Sequence, residues 1–350
     1  MDYRRLGRTD LNVSSLSLGT MTFGEQNTEA EGFAQMDLAL DRGVNLFDAA
    51  ELYPIPPRPE TQGRTERILG NWFKERGTRD KVVLATKVVG RTDSTYFRED
   101  GSEGRLNRAQ IEEAVNRSLK NLQTDYIDLY QVHWPDRRTP GFGTNPTRWK
   151  EPEIASDETS IEESLEVFGD LVKAGKIRHL GLSNESAWGT MTYLKASEMK
   201  SLPRVVSIQN AYSLVNRTYE TALAEVTQRE DVGLLAYSAL AQGYLSGKYQ
   251  NGALPKGSRK ELFNRLQRYE VAGADAAISA YVDLAKDAGL DPSQMALAFA
   301  NSRSFMTSVI LGATRMEQLE ADLDVADLVL SDDVLEKIDH LHQLHGNPCP

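Results

Sequence analysis

Apolar, β-rich runs recur along the chain: "SLSLGT", "GVNLFD", "KVVLATK", "IDLYQVH", "IRHLGLSN", "RVVSIQN", "VGLLAYS" and "TSVILGAT". They are short and largely continuous rather than alternating, the pattern of parallel strands covered on both faces. Between them the apolar positions shift to helical spacing. Ile111, Val115, Leu119 and Leu122 mark one stripe; Ile161, Leu165, Phe168 and Val172 mark another, closed by Gly175 as a stop signal. A strand–helix unit repeated about eight times predicts an α/β fold, the closed (β/α)8 TIM barrel, with residues 1–350 as a single domain. Ahead of the first run, "YRRLGRTDLNVSSL" reads as a β-hairpin turning near Gly7–Asp10, placed to plug the bottom of the barrel.

The runs end on polar residues: Thr20, Asp48, Lys87, His133, Ser183–Asn184, Gln209–Asn210, Tyr237–Ser238 and Thr314. Barrel active sites sit at the C-terminal face, on strand ends and the loops that follow. One polar end means little, because any strand that stops meets water. A set that includes Asp48, Lys87 and His133, with Tyr53 just beyond Asp48, reads as a site. The segments after His133 and after Ser238 are long, and long loops in a compact domain tend to serve as lids or binding loops. No repeat beyond the strand–helix rhythm and no low-complexity linker is visible.

Charge narrows the partners. The 350 residues carry a formal net charge of −11, with no basic cluster, so nucleic acid and anionic membrane surfaces are poor partners. A small anion still fits a locally positive cleft. The one cysteine, Cys349, gives no intrachain disulfide framework and no thiol near the strand ends. The opening residues lack a signal-peptide core and no apolar run is long enough to span a bilayer, so the expected location is the cytoplasm. Nothing in the sequence specifies an oligomeric state.

Several motif resemblances fail. In "GYLSGKY", Gly243 and Gly247 are one residue too close for a P-loop, and Tyr249 replaces the hydroxyl residue. No dinucleotide-binding Gly-x-Gly-x-x-Gly follows a strand. His340, His342 and His345 lie on a polar tail without i, i+4 spacing, so no metal site is expected.

Asp48, Tyr53, Lys87 and His133 follow consecutive strands and suit proton transfer. A free phenol, with a pKa of about 10, is a weak acid at neutral pH. A nearby ammonium stabilises the phenolate and lowers that value. A carboxylate holds the ammonium charged and in place, and an imidazole at the rim can hydrogen-bond the developing oxyanion of a carbonyl substrate. The set contains no obvious nucleophile, and reduction needs a hydride from elsewhere. The plainer alternative is a structural Asp48–Lys87 pair under a packed Tyr53.

The segments "GVNLFDAAELY", "LATKV", "DYIDLYQVHWPD", "GKIRHLGLSN", "IQNAYSL", "AYSALAQGYLSGKY" and "VILGATRMEQL" resemble, in order and over nearly the whole chain, the signatures of the aldo-keto reductase superfamily. "GTMTFGEQN" and the loop "YPIPPRPETQG" are shared with a bacterial branch of it. The resemblance implies an NADPH-dependent (β/α)8 reductase of small aldehydes or ketones that works without a metal. It casts Tyr53 as proton donor, Lys87 and Asp48 as the groups that tune it, and His133 as the group that orients the carbonyl. For NADPH/NADP+ it implies contacts from Thr20 and Met21, carboxamide contacts from Ser183, Asn184 and Gln209, and ring stacking by Tyr237. Ser238, Leu240, Gln242, Gly243, Lys248 and Arg259 match the loop over the pyrophosphate; Gly312, Thr314, Arg315 and Gln318 match the adenosine-phosphate site. Met21, Phe23 and Trp134 are also candidates for lining the substrate pocket.

Two positions depart from the family pattern. Ala321–Asp322 stand where many relatives carry Glu-Asn, which sets a carboxylate beside the expected phosphate. Ala239 stands where a proline is common, leaving the cofactor loop freer. The competing reading is an NADPH-binding regulatory or sensor module with little turnover, like the potassium-channel β-subunits of the superfamily, which carry asparagine at the position of His133. Cofactor-free isomerisation of a phosphosugar is a third reading, opposed by the nicotinamide-contact residues.

Overall fold

The computed structural model describes residues 1–139 and 149–350; residues 140–148, the middle of the long segment after His133, lie outside the described residues. Two short strands, β1 (Tyr3–Arg5) and β2 (Asn12–Ser14), pair antiparallel with Tyr3 opposite Ser14. Eight more follow: β3 (Leu16–Gly19), β4 (Leu46–Asp48), β5 (Val83–Val88), β6 (Ile127–Val132), β7 (Ile177–Ser183), β8 (Val205–Ala211), β9 (Gly233–Tyr237) and β10 (Met306–Leu311). These eight close into a barrel in chain order, with β10 returning to pair with β3, and every neighbouring pair is parallel. This is the (β/α)8 barrel that the apolar runs predict.

The hairpin lies where its sequence placed it. Leu6 and Val13 join Leu46, Ala85, Leu129, Val206 and Leu235 in one buried cluster inside the barrel. Gly7 makes the approach possible. Its φ is +56°, and a Cβ there would meet the Val206 carbonyl oxygen at 2.4 Å.

Helices α1 (Glu29–Asp41), α2 (Arg64–Arg76), α3 (Arg108–Leu122), α4 (Ile161–Lys173), α5 (Ala187–Lys200) and α6 (Leu223–Glu230) follow β3 to β8 in turn. Asn107 and Ser160 cap α3 and α4 by accepting from Gln110 and Glu163 backbone amides, which starts each helix where its stripe begins. Their predicted faces are the buried ones: Ile111, Val115 and Leu122, then Leu165 and Phe168, all sit in the main core. After β9 the chain forms a short helix α7 (Arg259–Phe263) before α8 (Ala274–Asp287) and α9 (Pro292–Asn301); α10 (Met316–Leu323) and α11 (Asp332–His345) follow β10. The segment after Ser238 is therefore partly ordered into short turns and α7. Among the described residues no helix is long and apolar enough to cross a membrane.

Candidate active site

The polar strand ends come together at one end of the barrel, around a cleft of about 2070 Å³. Pockets for one small ligand run to roughly 300–1,000 Å³, so this cleft has room for a dinucleotide and a further molecule. Apart from Lys87 and Phe23, every predicted site residue lines it; Phe23, a candidate for the substrate pocket, is instead fully buried in the main core, where apolar packing claims its ring. Lys87 lies beneath the floor, fully buried.

Asp48 is the last residue of β4, and Lys87 is the next-to-last of β5. The Lys87 ammonium donates to Asp48 Oδ2 at 2.7 Å, to the Ala49 carbonyl at 2.8 Å and to the Tyr53 hydroxyl at 3.3 Å. An ammonium has three protons, and all three are used. Burial pulls its pKa below the ordinary lysine value, with Asp48 opposing. The second oxygen of Asp48 accepts from Gln209 Nε2 at 2.8 Å and from Gln131 Nε2 at 3.3 Å. Each partner is thus fixed from several sides, as a buried ion pair must be.

Tyr53 differs from expectation in one respect. Burial drives its phenol well above the ordinary range, the Asp48 carboxylate adds to the rise, and only Arg259 opposes. The expected lowering by Lys87 is not found. The reason is that Asp48, in contact with Lys87, offsets its charge, while removing the ring from water penalises the phenolate. Tyr53 is a neutral hydroxyl that accepts from Lys87 and has its own proton left to donate.

His133 follows β6, and its ring meets that of Tyr53 edge-on, with centroids 5.8 Å apart. Burial, with the Lys87 charge adding, pushes its pKa well below the usual imidazole range, so it is neutral at neutral pH. A neutral imidazole keeps one N–H to donate and one nitrogen to accept. Its Nδ1 is buried without a hydrogen-bond partner among the described residues.

A second network adjoins the first. Asn184 Nδ2 donates to the His133 carbonyl at 2.8 Å, and Asn184 Oδ1 accepts from the Tyr237 hydroxyl at 2.6 Å. Ser183 Oγ donates to the Gln209 carbonyl at 2.8 Å. Thr20 Oγ1 donates to the Asp48 carbonyl at 2.7 Å. Tyr237 at the end of β9 is therefore tied by its hydroxyl, with burial raising its pKa. Asn210 is spent elsewhere, bridging the main chain of Glu185.

The other end of the cleft is cationic. After β9 the backbone takes positive φ at Ser238 (58°), Ala241 (48°), Gln242 (54°) and Gly243 (95°), conformations that L-residues rarely adopt. A Cβ on Gly243 would meet Lys248 Nζ at 2.7 Å, so the glycine admits that ammonium. Arg259, on α7, reaches Met21 Sδ at 3.9 Å. Burial and the adjacent Arg268 and Arg265 push its pKa down to about 10. Such crowding of like charge favours a bound anion. Gln242 Oε1 is also buried without a hydrogen-bond partner among the described residues. Beyond β10, Gln318 Oε1 accepts from the Thr314 amide and hydroxyl, both at 3.2 Å. Arg315 Nη2 donates to the Lys256 carbonyl at 3.5 Å. Asp322 faces the same cleft, and burial, with Asp291 adding and Lys248 opposing, raises its carboxyl to about 7.

Reading the strand ends missed four residues. Gln131 braces Asp48 from β6; its inward position two residues before His133 was a usable signal. Arg268 donates to Ser238 Oγ at 3.1 Å, and Glu51, two residues before Tyr53, forms a buried pair with Arg98. Nothing in local pattern joins either of those to the site.

The family model described as the aldo/keto reductase family matches residues 15–343. Protein Tas of Escherichia coli (strain K12) is 50% identical over 352 residues, covering 100% of both chains. The uncharacterized oxidoreductase YrpG of Bacillus subtilis (strain 168) is 33% identical over 355 residues, with 100% of this chain and 98% of that one covered. A probable voltage-gated potassium channel subunit beta of Arabidopsis thaliana is 31% identical over 352 residues, covering 98% and 97%.

Proposed function

The chain belongs to the aldo/keto reductase family and is an oxidoreductase, and we propose that it reduces aldehydes or ketones to alcohols with NADPH, Tyr53 giving the proton. The observation that carries this reading is the 3.3 Å contact from Lys87 to the Tyr53 hydroxyl. It occupies a lone pair of the phenol and leaves the O–H free to donate, and Tyr53 lines the cleft in which a carbonyl oxygen can receive the proton.

The cleft suits a phosphorylated dinucleotide by its size, its crowded arginines and its glycine-lined loop. Bound there, the nicotinamide would supply the hydride. The residues do the rest. Neutral His133 donates to the carbonyl oxygen and aligns it with Tyr53. As negative charge grows on that oxygen, the phenol proton crosses to it, and Lys87 stabilises the phenolate left behind. Asp48 keeps Lys87 in place and is itself held by Gln209 and Gln131. Gln209 Nε2 is committed to Asp48, which leaves its oxygen to accept from the cofactor carboxamide, with Ser183 and Asn184 completing the contact. Tyr237 backs the nicotinamide ring. Ser238, Leu240, Gln242, Gly243, Lys248 and Arg259 hold the pyrophosphate. Gly312, Thr314, Arg315 and Gln318 hold the adenosine phosphate, and Thr20 and Met21 border the reacting end.

The similarity to a plant channel β-subunit favours a second reading, a nucleotide-binding sensor with little turnover. One assay separates them. Purified protein, NADPH and 4-nitrobenzaldehyde should show loss of reduced-cofactor absorbance. Tight NADPH binding with no oxidation across a panel of aldehydes and ketones would overturn the reductase reading in favour of the sensor.

A further inference from the structure

Tyr53 lies on the segment after β4, and an aromatic wall of the same cleft lies on the segment after β5. Tyr96 and Phe97 belong to that wall, with ring centroids 4.2 Å apart, and both line the cleft. The two segments are joined by a buried ion pair. Arg98 donates from Nη1 to Glu51 Oε2 at 3.0 Å and from Nη2 to Glu51 Oε1 at 3.2 Å. Both side chains are at most 1% exposed.

Each partner is anchored to the reacting groups. Glu51 Oε1 also accepts from the Val89 amide at 2.7 Å, and the Glu51 amide donates to the Lys87 carbonyl at 3.1 Å. Two residues on, the Tyr53 amide donates to the Ala50 carbonyl at 3.0 Å. Arg98 donates from Nε to Gln110 Oε1 at 3.1 Å and from Nη1 back to the Phe97 carbonyl at 2.9 Å. Displacing Arg98 therefore moves Phe97 on one side and the backbone leading to Tyr53 on the other. A buried ion pair is a poor source of stability, since apolar residues of similar volume often serve as well. A fixed bidentate geometry is what Arg and a carboxylate offer instead.

We propose that the Glu51–Arg98 pair sets the distance between Tyr53 and the Tyr96–Phe97 wall, so that these two positioning residues help decide which carbonyl compounds are reduced. This rests on the reductase reading of the cleft. Neither residue touches substrate; each acts through its neighbours.

The test compares the full-length protein with E51Q/R98M, which removes both charges together, and with R98K, which keeps the charge but loses the fork. Melting temperature, NADPH affinity, steady-state kinetics with 4-nitrobenzaldehyde and with propanal, and amide hydrogen exchange are measured. In E51Q/R98M, kcat should fall for both aldehydes and KM should rise about tenfold for the aromatic one only, as expected for coupled neighbours. NADPH affinity should stay within about twofold, and exchange should quicken together in residues 49–53 and 89–98. R98K should show the same pattern at smaller amplitude, and it decides the matter if the double variant does not fold. A lower melting temperature with unchanged kcat, KM and exchange in 49–53 would make the pair merely structural. If the wild type turns over no carbonyl compound, the reductase reading fails. Exchange then still decides the coupling: joint quickening supports it, and quickening confined to 89–98 overturns it.

Discussion

Lys87 Nζ stands 3.3 Å from the Tyr53 hydroxyl and 2.7 Å from Asp48 Oδ2, so one buried ammonium links a neutral acid to a carboxylate. The phenol is held protonated by burial and by Asp48, which is the state a proton donor needs before reaction. In the proposed reaction the ammonium matters once a phenolate forms. Ground state and product are thus served by different neighbours.

Tyr53→Phe removes the proton and little else, because the ring stays where it packs. We expect kcat to fall by about 10²–10⁴, the usual worth of a positioned acid. The NADPH dissociation constant, read from fluorescence titration, should hardly change. Retention of half the wild-type kcat, with a deuterium isotope effect showing hydride transfer to be rate-limiting, would remove Tyr53 from the mechanism.

Lys87→Met leaves the largely buried Asp48 carboxylate without its ammonium. Breaking such a pair costs roughly 3–5 kcal/mol, so both stability and turnover should drop. Asp48→Asn combined with Lys87→Met removes both charges and should recover most of the melting temperature without recovering kcat. Recovery of both would demote the pair to scaffold.

The grouping of Asp48, Tyr53, Lys87 and His133 was legible because they follow apolar runs that read as barrel strands. Asp48, Lys87 and His133 each end a run, and barrel geometry brings those ends to one face. The strand limits were less legible: "GVNLFD" yields only Leu46–Asp48 as strand, since Gly43 turns at φ +85° out of α1. The direction of the Tyr53 shift was not legible. It depends on how dry the pocket is and on how fully Asp48 offsets Lys87, and both are set by tertiary packing. Glu51 and Arg98, 47 residues apart in sequence, read as two unrelated surface charges until the loops are in place. Helix α7 was hidden in a polar stretch too short to show periodicity.

Arg315 is the cation expected to read the 2′-phosphate that distinguishes NADPH from NADH. It begins the segment capping α10, and its guanidinium makes no ion pair among the described residues. Arg315→Ala should weaken NADPH binding by about 1.5–3 kcal/mol, the range for hydrogen bonds to charged groups, and leave NADH binding nearly unchanged. The preference for NADPH should also shrink as salt rises. Equal loss of both cofactors would mean that Arg315 props the loop.

Asp322 makes the same end of the cleft sensitive to pH. Its carboxyl stands at about 7 in the fold against an ordinary 3.8, chiefly through burial, with Asp291 adding and Lys248 opposing. The raised value means that folding favours the protonated form. Below pH 3.8 both folded and unfolded chains hold the proton, and the group costs nothing. Between there and about 7 the unfolded chain releases it first, so the free protein loses stability as pH rises. Above about 7 the loss is complete, of order 4 kcal/mol at 1.36 kcal/mol per pKa unit. Asp322→Asn keeps the shape and removes the titration, so it should raise the melting temperature more at pH 8 than at pH 5. It should also strengthen NADPH binding more at pH 8 than at pH 6, because only the ionised carboxylate repels a phosphate. A variant whose melting temperature and NADPH affinity follow the wild-type pH dependence would show that Asp322 is not the titrating group.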